Sequence, residues 1–373
     1  MGRNGKKTPL YVHIYRILRG GILSGKFSPG TILPSENSLC TQYNTSRHTV
    51  RTSLKKLDAE GIARNLPGRG WEVIKSDGIT LKRYTSTLAF IGRGDIESSY
   101  AFESIRKSYQ QYFSEIKYYV GSANRDSAWY DEFSDNEIAG GKTGGVIVFD
   151  DNPLPEKFVD SLKSGKIPFI CLPLNGNYRY DSIGTDNLAA SEIMLNYLFR
   201  QGHTNIIFVT SRDLDNIPSF SLRRAGYSMA MERNGLIPEI IIADHNYWQG
   251  QDEEKLLMGK IDSMKSEKRH PSCIFCSTST PVVELLAMLK RNSIRVPEEI
   301  SICSFGCTPE MLTIASKFGI TSLTYIEEQF DVMSAVALEI LSMKSGTSIP
   351  VSMLVPVKLM EGNSVASLNQ PDS

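Results

Sequence analysis

Residues 46–60 read Ser46-Arg47-His48-Thr49-Val50-Arg51-Thr52-Ser53-Leu54-Lys55-Lys56-Leu57-Asp58-Ala59-Glu60, and the N-terminal fold is decided there. Val50, Leu54 and Leu57 form one stripe at helical spacing, while Arg47, Arg51 and Lys55 repeat every four residues on another face. Ser46 is placed to cap this helix, since a short hydroxyl side chain accepts from the orphan amides of a first turn. Asn44 supports a left-handed turn just ahead, and Gly61 stops the helix behind.

On the N-terminal side, Leu10, Ile14, Ile17, Leu18 and Ile22 predict an amphipathic helix that ends at Gly25 and the Ser28-Pro29-Gly30 turn. Ser35, directly after Pro34, is placed to cap a short second helix through Tyr43. On the C-terminal side, residues 62–66 and 71–74 read as two strands joined by Pro67-Gly68-Arg69-Gly70, a hairpin with a basic tip. A short helix, a tight turn, a basic helix and a hairpin make a winged helix-turn-helix, whose second helix enters the DNA major groove.

Charge agrees with this reading. Net charge over the 373 residues is zero, yet residues 1–76 carry 13 Lys and Arg against 4 Asp and Glu, a local +9, which leaves −9 for the remainder. Positive charge concentrated in this way attracts a polyanion through counterion release, the alternative being a merely solvated basic face.

Residues 8–74 also resemble the gluconate-repressor (GntR) family. The motifs that carry the likeness are Pro9-Leu10-Tyr11, Ile22-Leu23-Ser24-Gly25 and Pro29-Gly30-Thr31-Ile32-Leu33-Pro34-Ser35-Glu36. Ser46-Arg47-His48-Thr49-Val50-Arg51, Leu57-Asp58-Ala59-Glu60-Gly61 and Gly68-Arg69-Gly70 continue it. The resemblance implies DNA contacts from Ser35, Asn37, Ser46, Arg47, His48, Thr49, Arg51, Gly68 and Arg69. Arg47 and Arg51 would reach base edges or phosphates, His48 and Thr49 would add contacts, and Gly68-Arg69 would touch the minor groove. Asn37 stands where the family usually has Arg, which implies a different operator or a weaker phosphate contact.

Residues 75–87 are polar and without periodicity, a natural boundary: a DNA-binding domain at 1–75, a linker at 76–86 and a larger domain at 87–373. Beyond it, β-rich runs at 87–91, 116–120, 145–149, 168–172, 206–209, 240–243, 273–276 and 301–305 alternate with helical patterns at about 101–113, 188–201, 222–234 and 282–291. This alternation predicts an α/β domain of doubly wound, mostly parallel sheets, in two lobes with a ligand cleft at the strand ends. A late helix at 327–343 is expected to support the first lobe, and a last strand around 351–358 the second.

This part resembles the sensor domain of the lactose/galactose repressor family, itself similar to periplasmic sugar-binding proteins. The carriers are Ser182-Ile183-Gly184-Thr185-Asp186-Asn187, Gly202-His203 with Ile206-Ile207-Phe208, Arg223 with Gly226-Tyr227, residues 271–277 and residues 295–302. A gluconate-repressor-type head on such a sensor is similar to the arabinose-repressor subgroup. The resemblance implies an effector cleft lined by Arg223, Asp186 and Trp248: Arg223 holding hydroxyls or a carboxylate, Asp186 organising the crossover strand, Trp248 stacking on an apolar face. Thr278-Ser279 and Ser304-Phe305-Gly306-Cys307 replace the usual Asn-Asp and Gly-Phe-Asp-Asp. The ligand is then a carbohydrate held by other groups, another metabolite, or one no longer sensed.

Six cysteines include Cys273-x2-Cys276 and Cys303-x3-Cys307, a spacing superficially like a zinc site, but both pairs sit in apolar β-like runs and read as buried small side chains. A metal- or redox-responsive regulator is the alternative reading. An enzyme is disfavoured: Gly141-Lys142-Thr143 lacks the upstream glycine of a phosphate loop, Asn136 standing there, and no nucleophile elbow exists. His13, His48, His203, His245 and His270 have no metal spacing, and no cofactor is expected. The longest apolar runs are strand-sized and residues 1–10 are polar and basic, so the expectation is a cytoplasmic protein with no membrane partner. Two copies would pair as a homodimer on a palindromic or near-palindromic double-stranded operator.

Overall fold

Helix α1 (Leu10–Leu23) places Ile14, Leu18 and Ile22 on a fully buried face. Helices α2 (Glu36–Gln42) and α3 (Arg47–Ala59) begin where their caps predict. The Ser35 hydroxyl accepts from the Ser38 amide at 3.1 Å and the Ser46 hydroxyl from the Thr49 amide at 3.3 Å. Asn44 and Gly61 take positive φ, 43° and 66°, at the turn and at the stop. Val50, Leu54 and Leu57 are wholly buried beneath α3. Strands β1 (Ala63–Leu66) and β2 (Gly70–Val73) form the antiparallel hairpin, with Arg64 opposite Glu72. A third extended segment, absent from the sequence reading, completes the wing: Leu33 N–H donates to Trp71 C=O at 2.7 Å and Val73 N–H to Thr31 C=O at 2.9 Å.

The computed structural model describes residues 9–23, 25–75, 84–92, 102–103, 105–107, 109–110, 113–120, 127–150, 154–172, 180–215, 217–245, 248, 250–343 and 350–369. Most of the expected linker, residues 76–83, and part of the helix expected at 101–113 lie outside them. The chain divides into two units, Met1–Gly184 with Gln329–Val355 and Thr185–Glu328 with Pro356–Ser373.

The first unit holds the winged helix and a six-stranded sheet ordered β13-β7-β6-β5-β3-β4. Its strands are β3 (Tyr84–Gly92), β4 (Phe113–Val120), β5 (Thr143–Phe149), β6 (Phe169–Leu172), β7 (Ser182–Thr185) and β13 (Ser352–Val355). The second unit's sheet is ordered β14-β12-β11-β10-β8-β9. It comprises β8 (Ile206–Ser211), β9 (Glu239–Ala243), β10 (Cys273–Cys276), β11 (Ser301–Phe305), β12 (Thr324–Glu327) and β14 (Lys358–Met360). Pairing from β8 to β12 is parallel, and β14 joins antiparallel. In each six-stranded sheet its first two strands in the chain, β3 and β4 or β8 and β9, are swapped in order, the reversal that opens a crevice at the strand carboxyl ends in doubly wound folds.

The second unit's core includes aromatics on adjacent strands, with Phe275 edge to face against Phe208 and stacked on Phe305. Phe275 lies 5.4 Å from Phe208 and 5.5 Å from Phe305 between ring centroids. Gly226 lets helix Pro218–Arg233 approach helix Asn187–Arg200: a Cβ there would sit 2.8 Å from Leu188 C=O. The helix expected at 327–343 packs in the first unit but begins at Phe330, because Thr324–Glu327 is strand β12 of the second sheet. The single strand expected at 351–358 is corrected: Ser352–Val355 joins the first sheet and Lys358–Met360 the second. Pro356 stands between them, where a residue without an N–H cannot continue a ladder. Among the described residues no helix is long and apolar enough to cross a membrane.

Candidate nucleic-acid interface and the Arg223 cluster

The outer face of α3 carries Arg47, His48, Arg51 and Lys55, all exposed. Among the described residues neither Arg47 nor His48 has an ion-pair partner. Arg51 is engaged: its Nε lies 2.8 Å from a Glu36 carboxylate oxygen, a tie between α2 and α3 that the sequence reading did not anticipate. A phosphate would have to replace Glu36 on this guanidinium. Ser35 and Ser46 spend their hydroxyls on the caps, and Thr49 Oγ1 sits 3.0 Å from Ser46 Oγ. Asn37 is exposed in the first turn of α2. Gly68 takes φ +75°, and the exposed Arg69 follows it at the wing tip. Lys56 turns elsewhere, its ammonium 4.0 Å from the Tyr15 ring centroid. The head thus presents a basic, hydrogen-bonding surface from α2, α3 and the wing.

Within the second unit, Arg223 is almost sealed from solvent and every nitrogen of its guanidinium is used. Nη2 pairs with Glu328 at 2.7 Å, Nε donates to Asn187 Oδ1 at 2.8 Å and Nη1 to Ser277 C=O at 2.9 Å. Phe305 and Phe220 flank its plane, 4.2 Å and 4.7 Å from ring centroid to Cζ. Glu328 accepts a second hydrogen bond from Thr185 Oγ1 at 3.1 Å. Asp186 caps helix Asn187–Arg200, accepting from the Ala189 amide at 3.1 Å. Trp248 is fully buried in another cluster, with Ile207, Ile241, Leu257 and Ile261.

The structure therefore brings Arg223 to the residue beside Asp186, and places Trp248 in a core. Asn187, Ser277 and Glu328 complete the Arg223 cluster, and sequence reasoning did not name them as site residues. Glu328 left no signal, because the sequence reading placed it within a helix at 327–343, whereas it directly follows strand β12. The nearby strand ends carry neutral polar groups: Ser277 Oγ donates to Thr210 Oγ1 at 3.0 Å, and Ser304 Oγ to Gly306 C=O at 2.7 Å.

The cysteines pair differently in space than in sequence. Cys273 and Cys303 lie on β10 and β11 with their sulfurs 3.9 Å apart, both buried. Burial pushes the Cys171, Cys276 and Cys303 thiols well up, and that of half-buried Cys307 to about 11. Among the described residues no group of three or more His, Cys, Asp or Glu side chains is arranged to hold a metal ion.

Comparison with known proteins accords with both halves. Residues 10–73 match the model of bacterial regulatory proteins of the gntR family, and residues 195–365 that of the periplasmic binding protein-like domain. The arabinose metabolism transcriptional repressor of Geobacillus stearothermophilus is 23% identical over 89% of this chain and 91% of its own length. The repressor CytR of Escherichia coli K12 is 28% identical over 36% of this chain and 40% of its own. Among solved structures, the LacI-family regulator CCPA of Weissella paramesenteroides with bound sucrose superposes with a TM-score of 0.59 at 17% identity, covering 76% of this chain and all of that one. The dimeric Lac repressor gives 0.58 at 17%, over the same share of this chain. The chain is a transcription regulator that joins a gntR-family DNA-binding head to a periplasmic-binding-protein-like sensor domain.

Proposed function

We propose that the chain is a cytoplasmic repressor that binds a palindromic or near-palindromic operator as a homodimer and is modulated by a small carbohydrate-type effector. The observation that carries the DNA half is the capped helix α3, with Arg47 and His48 exposed and uncommitted on the most basic part of the chain. Arg47 reads a base edge, Arg51 and Arg69 position the head on phosphates, and Asn37 adds an amide contact in place of the family's arginine. The sugar half draws on relatives named for arabinose metabolism and on a structural neighbour holding sucrose. In this chain Arg223 already has a carboxylate partner in Glu328, which favours an uncharged, hydroxyl-bearing ligand over an anionic one.

The test is a fluorescence-anisotropy titration of the full chain against DNA from upstream of its own coding sequence. It is run at two salt concentrations with excess competitor DNA. Tight binding that resists competitor is expected, and neutral sugars are then screened for release. Binding that disappears as salt rises and shows no sequence preference would sink the reading.

A further inference from the structure

Helix Phe330–Met343 reads Phe-Asp-Val-Met-Ser-Ala-Val-Ala-Leu-Glu-Ile-Leu-Ser-Met and is apolar nearly all round. A helix of that kind needs cover on more than one side. One side packs in the sensor's first lobe, where Tyr109 donates its hydroxyl proton to Ser334 C=O and β6 lies close by. The other side is covered by α1 of the winged helix, within the same unit.

Three independent features fix that contact. Gly20 of α1 faces the sensor helix so closely that a Cβ would stand 2.7 Å from Val336 Cγ2, with Val336 N at 3.4 Å and Val332 C=O at 3.5 Å. A glycine inside a helix costs helical stability, and here its missing side chain lets two backbones meet. Arg19 is buried and bridges both parts: Nε is 3.2 Å from Glu60, at the end of α3, and Nη1 is 3.4 Å from Glu339, which is fully buried in the sensor helix. Tyr15 donates to the same Glu60. The His13 imidazole lies beside the backbone of Leu354 on β13.

We infer that α1 is a clamp: it locks the DNA-reading head onto helix Phe330–Met343, so that the head and the first lobe turn as one body. The recognition face remains available in this state, because Arg47, His48 and Arg69 are exposed while α1 is docked. The clamp therefore orients the head instead of hiding it. A signal in the first lobe reaches α3 through Glu339, Arg19 and Glu60. Only its consequence for operator binding rests on the function proposed above.

Gly20→Ala tests the clamp cleanly, because the atoms a Cβ would meet there all belong to the sensor helix and alanine favours α1 itself. Amide hydrogen exchange on the free full-length chain is the readout. The variant is expected to exchange at least tenfold faster across 332–341 while α3 keeps its protection. Gly20→Ala with Val336→Ala, which removes the clashing methyl, is expected to return the exchange to near the wild-type rate. Unchanged exchange in the single variant, or protection that depends on protein concentration, overturns the clamp. In the operator titration the single variant should lose at least fivefold in affinity and the double variant should recover it. Equal operator affinity for wild type and Gly20→Ala overturns the coupling. If the wild type binds no operator, the proposed function fails, and the exchange result still decides the clamp.

Discussion

Arg223 Nη2 and a carboxylate oxygen of Glu328 lie 2.7 Å apart in the second unit, with side chains 2% and 5% exposed. Removing one member of a buried pair leaves an uncompensated charge in a low dielectric. Glu328→Ala is expected to destabilise the protein by about 3–5 kcal/mol, and Glu328→Gln by less, since an amide oxygen can still accept from Thr185. Urea denaturation is the check. A loss below about 1 kcal/mol for the alanine variant would mean that solvent reaches this arginine.

Arg47 and Arg69 should separate into a reading and a positioning residue. Arg47→Ala is expected to cost about 1–3 kcal/mol on the best operator and to relax preference at one base pair. Arg69→Ala should weaken all sequences alike and reduce the salt slope by about 1. A titration over salt concentration with a panel of single-base operator variants distinguishes the two. Equal losses on every sequence for Arg47→Ala would count against direct readout.

The caps can be tested without DNA. Ser46→Ala and Ser35→Ala each remove the acceptor of a first-turn amide, and each is expected to cost about 1 kcal/mol, with Ser→Gly costing only a few tenths. Thermal melts followed by circular dichroism check this. Melts of the alanine and glycine variants that coincide with the wild type would show that the hydroxyl contributes nothing.

His203 supplies a pH dependence. Burial holds its pKa below the usual 6.5, and its two ring nitrogens meet Ser272 Oγ and Ala366 C=O, each at 3.0 Å. The folded state therefore binds fewer protons than the unfolded chain just below pH 6.5. This contribution to stability is complete above that pH and is lost as pH falls through it toward the lowered folded value. His13, also lowered by burial, acts in the same direction. Melting temperature should fall on acidification from about pH 7.5 to about pH 5.5, and less steeply in His203→Gln. Parallel pH profiles for variant and wild type would refute the assignment.

Thiol chemistry tests the metal- or redox-responsive alternative. Cys40 and Cys307 are partly accessible, and burial raises the Cys307 thiol to about 11, so native alkylation should label Cys40 first and Cys307 slowly. Cys171, Cys273, Cys276 and Cys303 are buried and should react only after unfolding. Rapid native labelling of Cys273 or Cys303, read by peptide mass spectrometry, would reopen that alternative.

Much of the head was legible because its signals are local. Ser35, Asn44, Ser46, Gly61 and Gly68 act within four residues of themselves, and the stripe Val50, Leu54, Leu57 states its own buried face. The bounds of β10 and β11 were equally readable, as short apolar runs with polar ends. Strand β7 was not: Ser182-Ile183-Gly184-Thr185 has no periodicity, yet all four residues are buried because neighbouring strands and helices cover them. Residues 30–33 went unread as a strand for the same reason, their pairing being supplied by β2.

The sequence by itself determined the two-part architecture, the winged helix with its basic outer face, and the βαβ alternation of the sensor. Each is written in spacing and in charge along neighbouring residues. Tertiary structure alone decided that Arg223 is spent on Glu328, that Glu36 holds Arg51, that Trp248 is packed in a core, and that Gly20 is a contact point and not a flaw in α1. Those partners are far apart along the chain, and burial and ion pairing depend on which surfaces the fold brings together, which no local pattern encodes.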